Sequence, residues 1–269
     1  MVDGVCCSQT SLKELSLSMS VSEMDRYLFD SQGYVVLPQV LDADAVGVLR
    51  RLLDETGWWD ASATGQTSHE GDILSLGRPF WDLIDHPHVE PYLSEWLGPH
   101  FRLDHVYPIF KSTGGEAQRL HHGGEPFSPH CYYHVQNGSI SCGLTVVTFA
   151  LTDCGPGDGG FACVPGSHKA AFPAPAQILD WTDSSRTVTV PMRAGDALVF
   201  TEALCHGSAP WTASHPRISL LYKFSPGNSA WGAFEDGWPE DIVKNCTQRQ
   251  REILEPPYVY NANGYRRGF

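Results

Sequence analysis

Between residues 190 and 224 the chain reads VPMRAGDALVFTEALCHGSAPWTASHPRISLLYKF, and this stretch carries its strongest chemical signal. Gly195-Asp196 marks a tight turn. Residues 197–200 follow as an apolar strand, and His206 lies just beyond its end. Arg217 comes eleven residues after His206, at the start of another apolar strand. An imidazole suits iron, copper or zinc. A guanidinium fork holds a carboxylate through two parallel hydrogen bonds. A His and an Arg on neighbouring strands can face one cavity. The pair therefore points to a metal chelated by a carboxylate-bearing co-substrate.

A second group lies upstream in Leu120-His121-His122-Gly123-Gly124-Glu125-Pro126. Two histidines in a Gly-rich loop can approach a metal without steric obstruction. His122 is read as a spacer beside His121, and His168 in PGSHK as a turn-stabilising residue. Tyr132, Tyr133, His134 and Trp211 are candidates for a substrate pocket or for aromatic core packing.

The elements that must position these groups change character along the chain. Residues 1–20 are Ser-rich and weakly patterned and read as a flexible lead-in. Residues 22–30 pattern as a helix capped by Ser22 and stopped by Gly33, and 34–37 as a short strand. Asp42 caps a second helix that ends at Gly57. Residues 82–97 form a third helical region, interrupted by Pro87 and Pro91. After Pro99, short apolar runs alternate with Gly, Pro and Asp clusters. The runs cover 105–110, 140–151, 161–164, 187–190, 197–200 and 218–224, the spacing of a β-sandwich or barrel. Helices first and strands second predict helices packed outside a β core, as one domain over residues 21–269. The Pro- and aromatic-rich stretch 255–269 reads as an ordered strap over that core.

Composition narrows the partners. Asp plus Glu total 31 against 18 Lys plus Arg, a formal charge of -13 that would repel a phosphate backbone and argues against nucleic acid. No apolar run is long enough to span a membrane, and the N-terminal segment lacks the pattern of a signal peptide. The eight cysteines show no CxxC pair and no compact framework spacing, which fits free thiols in the reducing cytoplasm. Cys6-Cys7 stands apart in the lead-in.

Taken in order, several of these elements resemble the phytanoyl-CoA dioxygenase family of Fe(II)/2-oxoglutarate oxygenases. The resemblance is carried by Lys111, His121, Gly160 to Lys169 with its PGSHK, Gly195-Asp196, His206-Gly207-Ser208 and Arg217. The helix–Gly–strand start over residues 27–37 also fits. The resemblance implies a mainly β fold with flanking helices, built on a double-stranded β-helix (jelly-roll, cupin-like) core with iron at one mouth. It implies His121 and His206 as iron ligands and Arg217 as the partner of the remote carboxylate of 2-oxoglutarate. Ser208 or Ser219 would add a hydroxyl, and Lys111 is a further co-substrate candidate.

The departure from the family pattern is as informative as the match. The usual ligand set is His-x-Asp plus a distal His. Two residues after His121 stands Gly123, and in the register of His122 stands Gly124. Three readings follow. Gly123 leaves a coordination position open to chloride or water, as in the iron/2-oxoglutarate halogenases that this pattern resembles. Glu125 reaches back from the loop to complete a carboxylate triad. Or the site has decayed. Water in the third place, or a ligand such as His130 or His134, are further arrangements. The expectation is an oxidoreductase that activates O2 to hydroxylate or halogenate a C–H bond of a small molecule. Its competitors are a non-catalytic jelly-roll binding protein that kept the shape and lost the metal, and a zinc hydrolase, which Arg217 disfavours.

Overall fold

Two side-chain caps start the chain's regular structure. The Ser22 hydroxyl accepts from the Asp25 N–H at 3.0 Å and opens α1 (Glu23–Gln32); Asp42 accepts from the Ala45 N–H at 2.8 Å and opens α2 (Ala43–Thr56). Gly33 and Gly57 end them in the left-handed conformation. The computed structural model describes residues 20–59, 66–68, 73–123, 128–181, 183–232 and 237–258. The lead-in through residue 19 with Cys6-Cys7, the loop residues Gly124 and Glu125, and the end of the expected strap from 259 lie outside the described residues.

The strands in chain order are β1 (Tyr34–Leu37), β2 (Gln66–Ser68), β3 (Arg102–Lys111), β4 (Gln118–His121), β5 (Tyr133–Gln136) and β6 (Ser139–Cys142). They continue with β7 (Thr145–Ala150), β8 (Gly160–Cys163), β9 (Val188–Thr189), β10 (Ala197–Thr201), β11 (His206–Ala209) and β12 (Arg217–Ser225). The remaining helices are α3 (Arg78–Trp81), α4 (Glu90–Leu97), α5 (Ala176–Leu179), α6 (Glu240–Asn245) and α7 (Gln248–Ile253).

These strands form a large sheet ordered β1-β10-β7-β12-β3-β2, a smaller one ordered β4-β11-β8-β9, and the hairpin β5-β6. The pairings are antiparallel, and the two main sheets enclose Ile109, Val146, Phe161, Leu198, Phe200 and Leu221. That is the expected jelly roll. The large sheet is buried on both faces. Val147, Phe149, Val199 and Tyr222 turn away from the small sheet into a core shared with Phe29, Leu49 and Trp96 of the helices. Phe29 stacks on Trp96 with ring centroids 3.5 Å apart. Double burial explains why β7 and β10 read as continuous apolar runs without alternation.

The structure differs from the sequence reading at several boundaries. The run 140–151 splits into β6 and β7 because Gly143 lies against the His130 carbonyl, which a Cβ there would meet at 2.0 Å. The helical region expected over 82–97 is regular only in α4, with Pro91 in its first turn, where a missing N–H costs nothing. His206 opens a strand of its own, β11. The small strand β4 and the helices α6 and α7 were not anticipated. The Gly195-Asp196 turn proves to be a clasp: the Asp196 carboxylate accepts the N–H of Gln39 at 2.9 Å and of Arg193 at 2.8 Å. It ties the β1–α2 connection to the start of β10.

Candidate metal centre

Strand pairing brings the two motif histidines together. In the β4–β11 ladder His121 stands opposite His206, and their ring centroids are 4.5 Å apart. His206 Nδ1 lies 2.7 Å from the Leu204 carbonyl, and His121 Nδ1 lies 3.2 Å from the Arg119 carbonyl. A carbonyl only accepts, so each Nδ1 carries the proton and each Nε2 is left with a lone pair. Burial lowers the His206 pKa to about 4, against the opposing pull of Glu202, so the ring is neutral near pH 7. Both rings are thus set in the tautomer that a metal ligand requires.

Two residues along β11 from His206, Ser208 marks a cationic end. Lys111 Nζ donates to the Ser208 hydroxyl at 3.1 Å and to the Ala209 carbonyl at 3.0 Å. Arg217, paired with Lys111 across the β12–β3 ladder, reaches the same hydroxyl at 3.5 Å. Both cations are buried, and Arg217 Nε has no hydrogen-bond partner among the described residues. Burial, then the Arg217 charge, lowers the Lys111 pKa to about 8. A buried guanidinium with an unused N–H is costly unless an anion completes it. Ser208 lines the cavity, and Ser219 is buried in β12 outside its lining.

The third feature is a carboxylate that motif reading missed. Glu202 follows β10 directly and is buried at 3% exposure. Its Oε1 is 2.7 Å from Lys223 Nζ, and its Oε2 is 3.8 Å from His206 Nε2. Burial raises its pKa, but Lys223 and the rings of His206 and His121 together outweigh this and hold it at about 2. Glu202 also abuts Gly123. The Gly123 N–H donates to the Glu202 carbonyl at 2.7 Å, and a Cβ on Gly123 would lie 2.7 Å from Glu202 Oε2. Glu202 and Lys223 could have been noticed as charged residues attached to the apolar strands ALVFT and RISLLYKFS.

His121, Glu202, His206, Ser208, Arg217 and Lys223, with Lys111 behind Ser208, line one cavity of about 610 Å³ between the two sheets. It runs along β12 from Arg217 past Leu221 to Lys223, and along β3 past Ile109, Tyr107 and His105. The end away from Arg217 is framed by Asp104, His105, Tyr107 and Trp231. The remaining candidates stand elsewhere. His122 Nδ1 faces the Ala203 carbonyl at 3.2 Å. His168 Nε2 bonds the Asp30 carbonyl at the end of α1, and its ring meets Tyr133 edge-on. Trp211 is buried with its Nε1 on the His215 carbonyl. Tyr132 stacks on His134, and neither these nor His130 line the cavity. Among the described residues no three His, Cys, Asp or Glu side chains stand as a ready-made metal cage.

A family model described as phytanoyl-CoA dioxygenase (PhyH) matches residues 29–219, which hold every residue of this centre except Lys223. The chain belongs to the PhyH family. Within this PhyH frame the dioxygenase olcK of Penicillium canescens is 22% identical over 199 residues, covering 70% of this chain and 61% of olcK. The chain thus spans about three-fifths of that relative's length. HygX from Streptomyces hygroscopicus, solved with nickel and 2-oxoglutarate bound, superposes with a TM-score of 0.70 at 21% identity, over 83% of this chain and 94% of HygX. The non-haem α-ketoglutarate-dependent carbocyclase SnoK from nogalamycin biosynthesis gives a TM-score of 0.59 at 19% identity, over 77% and 85% of the two chains. At these identities the likeness establishes a shared fold. No helix among the described residues is long and apolar enough to cross a membrane, and Cys131, Cys142, Cys154, Cys163 and Cys246 are free thiols.

Proposed function

We propose that this chain is a non-haem Fe(II)- and 2-oxoglutarate-dependent oxidoreductase that uses O2 to functionalise a C–H bond of a small molecule. The observation that carries the reading is the buried Arg217, with an unused N–H, beside Lys111 and Ser208 and two residues along β11 from His206. Two residues of strand span about 7 Å. That is the reach of a short dicarboxylate with one end at a metal on His206 and the other on Arg217. His121 and His206 would hold iron through the lone pairs of Nε2, which their Nδ1 bonds leave facing outward. Bound iron supplies O2 activation coupled to oxidative decarboxylation of 2-oxoglutarate.

The rest falls to the protein. Arg217, Lys111 and Ser208 anchor the remote carboxylate, and the Arg217 fork fixes its plane. Phe161 and Phe200 pack against the His206 ring and shield that side of it from water. Asp104, His105, Tyr107 and Trp231 face the substrate end. HygX has been solved with hygromycin B bound. The size and polar rim of the present cavity suit a polar small molecule in the same way. We favour hydroxylation over halogenation, because the Glu202 carboxylate occupies the space beside Gly123.

Anaerobic titration of the purified chain with Fe(II) and 2-oxoglutarate tests the reading. The expected result is a visible charge-transfer band that needs both additions and is lost in Arg217→Gln. Absence of the band together with absence of metal uptake would sink the proposal. Zinc retention with turnover in the absence of O2 would favour the hydrolase.

A further inference from the structure

We infer that Glu202 supplies the third iron ligand, taking in space the place that a His-x-Asp pattern gives to position 123. The inference rests on the iron reading above and names the residue that completes it.

Volume is the first argument. A Cβ on Gly123 would lie 2.7 Å from Glu202 Oε2, from Glu202 Cβ and from Cys131 Sγ. Real side chains do not approach so closely. An Asp at 123 and a Glu at 202 therefore exclude one another in this fold. Gly123 is not a vacancy left by a lost ligand; it is the residue that makes room for a carboxylate arriving from another strand. The Gly123 N–H on the Glu202 carbonyl, at 2.7 Å, locks the two segments in that relation.

Reach is the second. Glu202 Oε2 stands 3.8 Å from His206 Nε2. Two atoms bound to one ion at ~2.1 Å lie between ~3 Å and ~4.2 Å apart, depending on the angle between the bonds. Neighbouring positions on an octahedral ion need ~3 Å, so the observed separation closes with a Glu202 side-chain shift of less than ~1 Å. His121 is brought to the same place by its register with His206.

Orientation is the third. Lys223 holds Oε1 at 2.7 Å, which leaves Oε2 on the histidine side. Outer partners of this kind fix and tune ligating carboxylates. A carboxylate serving only as counter-ion to Lys223 would need neither a glycine at 123 nor an oxygen facing the histidine pair. The arrangement also bears on chloride: an anion entering beside Gly123 would collide with Glu202 and be repelled by its charge.

The test uses the full chain, Fe(II) under anaerobic conditions, and Co(II) as a spectroscopic probe. Glu202→Gln keeps the shape and removes the charge. Loss of an outer partner typically costs ~10–100-fold in metal affinity, so loss of the ligand itself is expected to cost at least about 100-fold. The melting-temperature rise caused by 2-oxoglutarate in EDTA, which reads the Arg217 end, should persist. Chloride should perturb the Co(II) spectrum of Glu202→Gln but not of the wild type. The carboxylate can also be returned to position 123, where the backbone is outside the left-handed region and accepts a side chain. Gly123→Asp with Glu202→Gly and Cys131→Ala should bind Fe(II) far better than Glu202→Gly with Cys131→Ala alone. Should Glu202→Gln not fold, that pair decides. Wild-type Fe(II) affinity in Glu202→Gln, or no gain from the returned Asp, overturns the ligand assignment and leaves the iron reading standing. No Fe(II) uptake by the wild type overturns both.

Discussion

Lys223 and Glu202 face each other across 2.7 Å inside the sandwich, one from β12 and the other from the end of β10. Glu202 is buried and Lys223 is mostly so, at 15% side-chain exposure, so each charge leans on the other. The pair sits beside the histidines, where a metal would add a second positive partner for the carboxylate.

Lys223→Met should therefore destabilise the metal-free protein by about 3–5 kcal/mol, the usual cost of stranding one member of a buried ion pair. Added Fe(II) should return part of that loss by neutralising Glu202. Melting curves with and without anaerobic Fe(II) check this. The metal-induced rise should be larger in the variant than in the wild type; an equal or smaller rise would detach Glu202 from the metal.

Gly123→Ala inserts a methyl group where Glu202 Oε2, Glu202 Cβ and Cys131 Sγ each leave 2.7 Å. Overpacking of this kind costs about 1–3 kcal/mol. The expected outcome is a lower chemical-denaturation midpoint together with weaker Fe(II) binding, since Glu202 must move. An unchanged midpoint would mean that the space beside Gly123 is open.

Arg217→Gln should weaken 2-oxoglutarate binding by about 2–5 kcal/mol, the range for losing one partner of a buried charged pair. Fe(II) binding without co-substrate should be unaffected, because Arg217 meets the centre only through Ser208. Separate titrations with metal and with 2-oxoglutarate distinguish the two effects. A matching loss of both would point to general unfolding.

Lys111 gives the co-substrate site a pH dependence. Burial and the neighbouring Arg217 lower its pKa to about 8, so it is a cation below that pH and neutral above it. Affinity for 2-oxoglutarate should fall as pH rises through about 8, with Arg217 still charged. Binding isotherms across this range should show the decline in the wild type and a flat, weaker profile in Lys111→Met.

The pieces legible in the sequence were those set by local chemistry. Ser22 and Asp42 announced helices because their side chains cap backbone N–H groups three residues on. The Gly-Asp turn, His206 and Arg217 were legible because one strand's length fixes what the next can face. Glu202 was not, although it stands four residues before His206. Its importance arises from contact with Gly123, 79 residues away, created by strand pairing and a loop crossing that no local spacing encodes. The His-x-Asp spacing points to a carboxylate within a few residues of His121, where Glu125 stands. A charged residue closing an apolar strand was the available sign, and it carries no partner's name. The split at Gly143 was not legible either, since it depends on the Tyr132 and His130 carbonyls that the hairpin brings against residues 143 and 144.

The most direct measurement is an anomalous-difference map at the iron edge from crystals grown anaerobically with Fe(II), 2-oxoglutarate and chloride. With Glu202 as ligand, one iron peak lies within bonding distance of His121 Nε2, His206 Nε2 and Glu202 Oε2, with the co-substrate's far carboxylate on Arg217. Iron coordinated by chloride or water beside Gly123, with Glu202 turned fully onto Lys223, would contradict that assignment.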